Sequence, residues 1–231
     1  MTAATVELAG LRFGWGIADL LHIDSLRIAA GESVFMYGPS GCGKSTLLNL
    51  IAGVLLPRAG TVSILGQRSD HLAAAARDRL RAEHIGYIFQ QFNLIPYLSM
   101  VDNVVLPCRF APSRRQRAGG TRAAVLATAR GILARLDLTD PALLRRAVSA
   151  LSIGQQQRVA AARALIGGPE LIIADEPTSA LDETRRITFL DLLLRERAGA
   201  ALLFVSHDLR LAERFDRVLR LDQLNAAAGN A

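Results

Sequence analysis

Lysine is almost missing from this chain of 231 residues: of 27 basic positions, 26 are arginine and one is Lys44. A planar guanidinium serves for surface charge, so the one retained ammonium marks a place that needs a compact point charge on a flexible stem. Cysteine is scarce too. Cys42 and Cys108 are the only two, which excludes a disulfide framework and a zinc-ligand spacing and points to a reducing compartment. At 24.8 kDa the chain can bury a core without such staples and suits one domain. Long hydrophobic runs are missing as well, despite an apolar content of 51% and a mean hydropathy of +0.26. None approaches the roughly 18 to 20 residues of a membrane span, so the chain is not expected to cross a bilayer by itself. Met1 to Leu11 contains Glu7 and lacks a basic segment followed by a long apolar stretch, so no secretion signal is expected. There is no internal repeat, and only the tail Asn225 to Ala231 is low in complexity.

The net charge of +6 comes from scattered arginines. The densest run, Arg114-Arg115-Gln116-Arg117, lies between Pro112 and Gly119-Gly120 with no interleaved aromatic residue to stack on bases. It reads as a solvated loop, and no nucleic-acid partner is expected.

Four apolar runs each end in a residue able to do chemistry. Ser33 to Tyr37 precedes a glycine-rich loop, Ile85 to Phe89 precedes Gln90, Leu171 to Ala174 precedes Asp175-Glu176, and Leu202 to Val205 precedes Ser206-His207. Strands covered on both faces read as continuous apolar runs, and ligands of open α/β sheets sit beyond the carboxyl ends. Val6 to Phe13 and Leu21 to Ile28 are less buried in character and predict an antiparallel edge layer. Between Phe92 and Leu151 the texture turns helical, with Val125, Ala129, Ile132 and Leu136 at helical spacing and Asp140-Pro141 as an N-cap followed by proline. The expectation is an α/β fold with a mostly parallel sheet, residues 1–91 and 159–231 forming its core and 92–158 an inserted helical subdomain of the same domain.

Gly38-Pro39-Ser40-Gly41-Cys42-Gly43-Lys44-Ser45 fits the eight-residue phosphate-loop pattern in its required context, after an apolar strand and before a helical run that stops at Gly53. The glycines let backbone amides approach phosphate oxygens at a helix N-terminus, Lys44 reaches the β and γ phosphates, and the Ser45 hydroxyl suits magnesium. Asp175 places a second oxygen ligand for that ion, and Glu176 is the candidate base that polarises a water. His207 ends a strand on the face where phosphate is expected.

Read together with Leu151-Ser152-Ile153-Gly154-Gln155, these elements resemble the nucleotide-binding subunit of an ATP-binding cassette (ABC) transporter over roughly Val6 to Leu221. In family order the resemblance identifies the phosphate loop through Thr46, Gln90 as the Q-loop glutamine and a further magnesium contact, the signature segment, Asp175-Glu176, the D-loop Ser179 to Asp182, and the switch histidine His207. It implies ATP and Mg2+ as cofactors and two subunits closing head to tail on ATP. Ser152, Gly154, Gln155 and Asp182 then belong to a site shared between copies. Ile153 departs from the glycine usual there, which bears on turnover rate; at a helix start a β-branched residue tolerates the negative φ. At the adenine-stacking position, usually tyrosine, Trp15 is the best match and Phe13 a competitor. Phe89 to Leu98 is similar to the lipoprotein-releasing and macrolide-exporter group, which implies a separate transmembrane permease, a contact near Gln90 to Asn103, a groove lined by Phe92, Leu94, Ile95 and Leu98, and a place on the cytoplasmic face of the inner membrane. A non-transport cassette that signals through a membrane partner to cell-wall hydrolases carries the same motifs. A soluble cassette on ribosomes or DNA usually has two cassettes or a long coiled-coil insertion, and this chain has neither.

Overall fold

The structure, a computed structural model, describes residues 4–144 and 146–229. Met1 to Ala3 of the leader reading and the last two residues of the low-complexity tail lie outside the described residues. In chain order, β1 (Ala4–Phe13), β2 (Leu21–Ala29) and β3 (Ser33–Tyr37) lead into α1 (Lys44–Ile51), β4 (Ala59–Ile64), β5 (Gln67–Arg68), α2 (Ala74–His84) and β6 (Ile85–Ile88). A helical stretch follows, with α3 (Met100–Val105), α4 (Pro107–Phe110), α5 (Pro112–Arg117), α6 (Arg122–Arg135), α7 (Pro141–Leu144) and α8 (Ile153–Leu165). Then come β7 (Leu171–Asp175), α9 (Glu183–Glu196), β8 (Ala201–Val205), β9 (Arg217–Arg220) and α10 (Leu221–Leu224). The chain divides into two compact units, Met1–Arg81 with Ala201–Ala231, and Ala82–Ala200.

The first unit holds an antiparallel sheet of order β2-β1-β4-β5. Its register sets Leu8 against Leu26, Leu11 against Ile23 and Phe13 against Leu21, all buried, with Glu7 and Arg12 turned outward. This half-buried alternation is what a layer with one solvated face requires. The same unit contains β3 flanked by parallel β8 and β9, and Val34, Phe35, Met36 and Leu202 to Val205 are fully buried. Helix α1 buries Leu47, Leu48, Leu50 and Ile51, each contributing roughly 1.5–3 kcal/mol by leaving water. It ends where Gly53 turns left-handed at φ 68°, the C′ role expected of that glycine.

In the second unit β6 pairs with β7 in parallel. A Cβ on Gly86 would stand 2.3 Å from the Ala164 carbonyl oxygen, so only glycine lets α8 lie this close to β6. Helix α6 starts at Thr121, whose hydroxyl accepts from the Ala124 amide, and it buries Val125, Ala129 and Ile132, with Leu136 buried just beyond its end. The Asp140 carboxylate accepts from the Ala142 amide at 2.8 Å and so caps α7, which opens with Pro141. The helical segment expected at 92–158 falls wholly inside this unit, which also contains β6, β7 and α9.

The arginine run departs from expectation. It is helix α5, not a solvated loop, and Arg114 is 2% exposed. Its guanidinium donates to the carbonyls of Ile166 at 2.9 and 2.5 Å, Ala164 at 2.7 Å and Ile85 at 3.2 Å. Helix α8 ends there, and the last carbonyls of a helix have no intrahelical donor. A buried cation satisfies them and complements the negative end of the dipole. Burial in turn pulls the Arg114 pKa down to about 10.

Candidate functional site

In the first unit the loop Gly38 to Gly43 joins β3 to α1. Gly43 sits at φ 97°, and a Cβ there would meet the Leu21 side chain at 2.7 Å, so glycine is needed both for the turn and for the approach to β2. No side chain caps α1 and no acid occupies its first turn, which leaves its first amides and dipole to an anion. Lys44 is 7% exposed. Its Nζ donates to the carbonyls of Gly38 and Pro39, both at 2.9 Å, so the ammonium lies back across the loop with two of its three donors engaged. Pro39, Ser40, Gly41 and Ser45 are exposed, and Cys42 and Thr46 half-buried.

The parallel register of β3 with β8 sets Met36 against Val205, and the Ser206 amide donates to the Met36 carbonyl at 3.2 Å. His207 and Gly38 therefore leave the sheet at the same edge, each at most two residues beyond that pairing. His207 is exposed, and the Asp208 carboxylate behind it accepts from the Arg210 amide. Trp15 is 71% exposed and meets the ring of buried Phe13 edge-on, centroids 5.1 Å apart at 89°. Phe13 pairs with Leu21, the residue packed on Gly43. This chain of neighbours carries the Trp15 ring on the hairpin that abuts the loop.

In the second unit the register of β6 with β7 sets Ile88 against Ala174. Gln90, Asp175 and Glu176 thus emerge along one sheet edge, Gln90 exposed and the two acids half-buried. Glu176 has φ 47°, a left-handed conformation rare outside glycine, and it precedes Pro177, a place that favours extended backbone. Tyr87 stacks on Phe89 with centroids 4.1 Å apart. Its hydroxyl is pushed to higher pKa by burial first and by the Asp175 carboxylate second.

Ser152 caps α8. Its hydroxyl accepts from the Gln155 amide at 3.3 Å, and Gln155 Oε1 accepts from the Ser152 amide at 2.9 Å, closing a capping box. Ser152 and Ile153 are exposed and Gly154 is half-buried. Ile153 does not adopt a left-handed backbone, so its branched side chain fits the helix start. Asp182 caps α9, accepting from the Arg185 amide at 2.9 Å and pairing with the Arg185 guanidinium at 3.2 Å.

Two residues on α8 were not singled out in the sequence. Gln157, 1% exposed, donates to the Pro177 carbonyl at 2.5 Å. Arg163 donates to the Phe92 and Asn93 carbonyls, both at 2.6 Å. The signal available for Arg163 was a charge inside the alanine-rich run Val159 to Leu165, whereas Gln157, last of three glutamines in a row, gave none.

Comparison with known proteins follows the same lines. A family model described as ABC transporter matches residues 21–179. The macrolide export ATP-binding/permease protein MacB of Rhodopseudomonas palustris is 40% identical over 232 residues, covering 96% of this chain and 33% of the relative. A MacB of Yersinia pestis is 39% identical over 228 residues, covering 95% and 33%. The chain spans about one third of the length of these relatives. Two solved dimeric structures of the cassette MJ0796 align over 93% of both chains. One, described as a bacterial ABC transporter cassette, has a TM-score of 0.80 at 34% identity. The other, a post-hydrolysis state bound to ADP and Pi, has a TM-score of 0.77 at 35% identity. With most of its length matched by the family model and nearly all of it by the solved cassettes, the chain belongs to the ABC transporter family and is an ATP hydrolase of that family.

Proposed function

We propose that this chain is the ATP-binding and ATP-hydrolysing subunit of a transporter, driving a transmembrane permease when two copies close on ATP at the cytoplasmic face of a membrane. The observation that carries the reading is the phosphate loop itself, an uncapped helix start whose only lysine already spans the loop carbonyls. In this reading Lys44 keeps its hold on the loop and offers its remaining donor to the β and γ phosphates, with the amides of Gly41 to Thr46 around them. Trp15 stacks on adenine. Glu176 accepts the proton of the attacking water, while Gln90 and His207 orient that water and the γ-phosphate. The partner copy brings Ser152, Gly154 and Gln155 to the same phosphate, and Asp182 contributes from the D-loop.

In this reading the residues that would hold magnesium are Ser45, Asp175 and Gln90, whose hydroxyl, carboxylate and amide oxygens are hard donors of the kind that ion takes. Few protein ligands would be needed, because phosphate oxygens and water would supply the remaining donors. When bound, the ion neutralises charge developing on the phosphates.

The permease contact is proposed around Gln90 to Asn103, where Tyr97 is 78% exposed and Leu94, Ile95 and Leu98 are half-buried; Phe92 is 8% exposed, so it supports the groove from beneath. The relatives named ATP-binding/permease proteins support a membrane partner. Among the described residues no helix is long and apolar enough to cross a membrane. The core at 1–91 and 159–231 with a helical insert at 92–158 remains the proposed organisation.

The test is the solution mass of Glu176→Gln by size exclusion with and without Mg-ATP, with Lys44→Ala as control. A dimer that appears only with ATP, and only when Lys44 is present, is expected. Normal turnover by Glu176→Gln would overturn the assignment of the base.

A further inference from the structure

Three segments of the proposed site hang from one helix. Ser152 caps the start of α8, Gln157 reaches the Pro177 carbonyl, and Arg163 forks to the carbonyls of Phe92 and Asn93. From Ser152 to Arg163 the rise is about 16 Å. The first distal contact lands one residue past a left-handed backbone, Glu176 at φ 47° before Pro177, and the second lands on one, Phe92 and Asn93 in succession at 60° and 48°. Each corner lies next to a residue assigned to catalysis, Glu176 in the first case and Gln90 two residues away in the second.

Local bonds also hold the second corner, the Phe92 amide donating to the Phe89 carbonyl and the Asn93 amide to Gln91. These fix the amides and leave the two carbonyls to Arg163, whose planar fork donates one N–H to each. The Gln157 side chain is buried on α8 and donates to the Pro177 carbonyl.

We propose that Gln157 and Arg163 are positioning residues through which α8 sets the left-handed corners beside Glu176 and Gln90, so that the signature end of the helix and both catalytic segments move as one body. The proposal rests on the reading of Glu176 and Gln90 given above. Neither residue touches nucleotide; each acts through a backbone carbonyl. A helix shift at Ser152, the end offered to a partner copy, thereby reaches both catalytic side chains of its own chain.

The experiment compares Gln157→Leu, Arg163→Met and Arg163→Lys with the unchanged protein, by amide hydrogen exchange and by steady-state ATP hydrolysis. Arg163→Met is expected to speed exchange in peptides covering 89–98, and Gln157→Leu in peptides covering 174–180, with the rest of the chain unchanged. The kcat should fall about ten- to a hundredfold, the scale of a small misplacement of catalytic groups, while KM for Mg-ATP stays close to its starting value. Arg163→Lys, which keeps the charge and loses the fork, should fall between. Unchanged kcat in all three variants would overturn the proposal, as would exchange that rises evenly across the chain, the mark of general loosening. If Glu176→Gln turns over normally while the local exchange changes appear, the assignment of the base fails and the positioning contacts stand.

Discussion

At the residue scale, the two aromatic rings at the end of the β1–β2 hairpin have separated their tasks. Phe13 is 7% exposed and packs in the register pair with Leu21, whereas Trp15 turns 71% of its surface outward and leans on Phe13 edge-on. An exposed indole held by a buried ring costs little entropy to order against a purine. Trp15→Ala should weaken ATP binding by about 1–3 kcal/mol, the usual worth of one base stacked on an aromatic side chain, with stability nearly unchanged. Phe13→Ala should instead lower stability by about 3 kcal/mol through the cavity it leaves. Because Trp15 is the only tryptophan, its own fluorescence reports binding, and ATP is expected to quench it. ATP affinity that survives Trp15→Ala would remove that ring from the site.

At the scale of elements, the sequence made strands and helix starts legible wherever the cause is local. Buried parallel strands read as apolar runs because both faces are covered, which is why β3, β6, β7 and β8 fall where those runs lie. The cap at Asp140 was legible because donor and acceptor stand two residues apart. Arg114 was misread for the opposite reason. Its acceptors at Ala164 and Ile166 lie 50 and 52 residues away, and charge patterning sees four polar residues in a row without seeing the bare carbonyls they serve. The left-handed backbone at Glu176 and Phe92 was equally hidden, since nothing in a glutamate or phenylalanine announces positive φ, whereas Asn93 is of a type that favours it. Arg114→Met therefore makes a sharp test of the corrected reading. It strips donors from three buried carbonyls and should cost about 2–4 kcal/mol, on the basis of about 1–3 kcal/mol for each unsatisfied group and partial relaxation. A urea midpoint by far-ultraviolet circular dichroism reads this, and an unchanged midpoint would return the run to the surface.

At the scale of the whole molecule, the proposed pairing of two copies is testable through Ser152. Its oxygen accepts from the Gln155 amide within the capping box, and a hydroxyl that accepts one bond still has its own proton to donate. Ser152 and Ile153 at that helix start are exposed and Gly154 is half-buried. If each nucleotide is held by the loop of one copy and the signature of its mate, damage to the two elements should be complementary when placed on different chains. In a Glu176→Gln background, Lys44→Ala alone removes loop binding, and Ser152→Arg alone leaves ATP bound by monomers. Mixed, the two variants form a heterodimer in which one site joins two broken elements and the other joins the intact loop of the Ser152→Arg chain to the intact signature of the Lys44→Ala chain. Mass measurement with Mg-ATP should then show a dimer holding one nucleotide in the mixture and none in either variant alone. A dimer formed with Mg-ATP by the Ser152→Arg chain alone would mean that Ser152 serves only its own helix, where losing its cap costs about 1 kcal/mol.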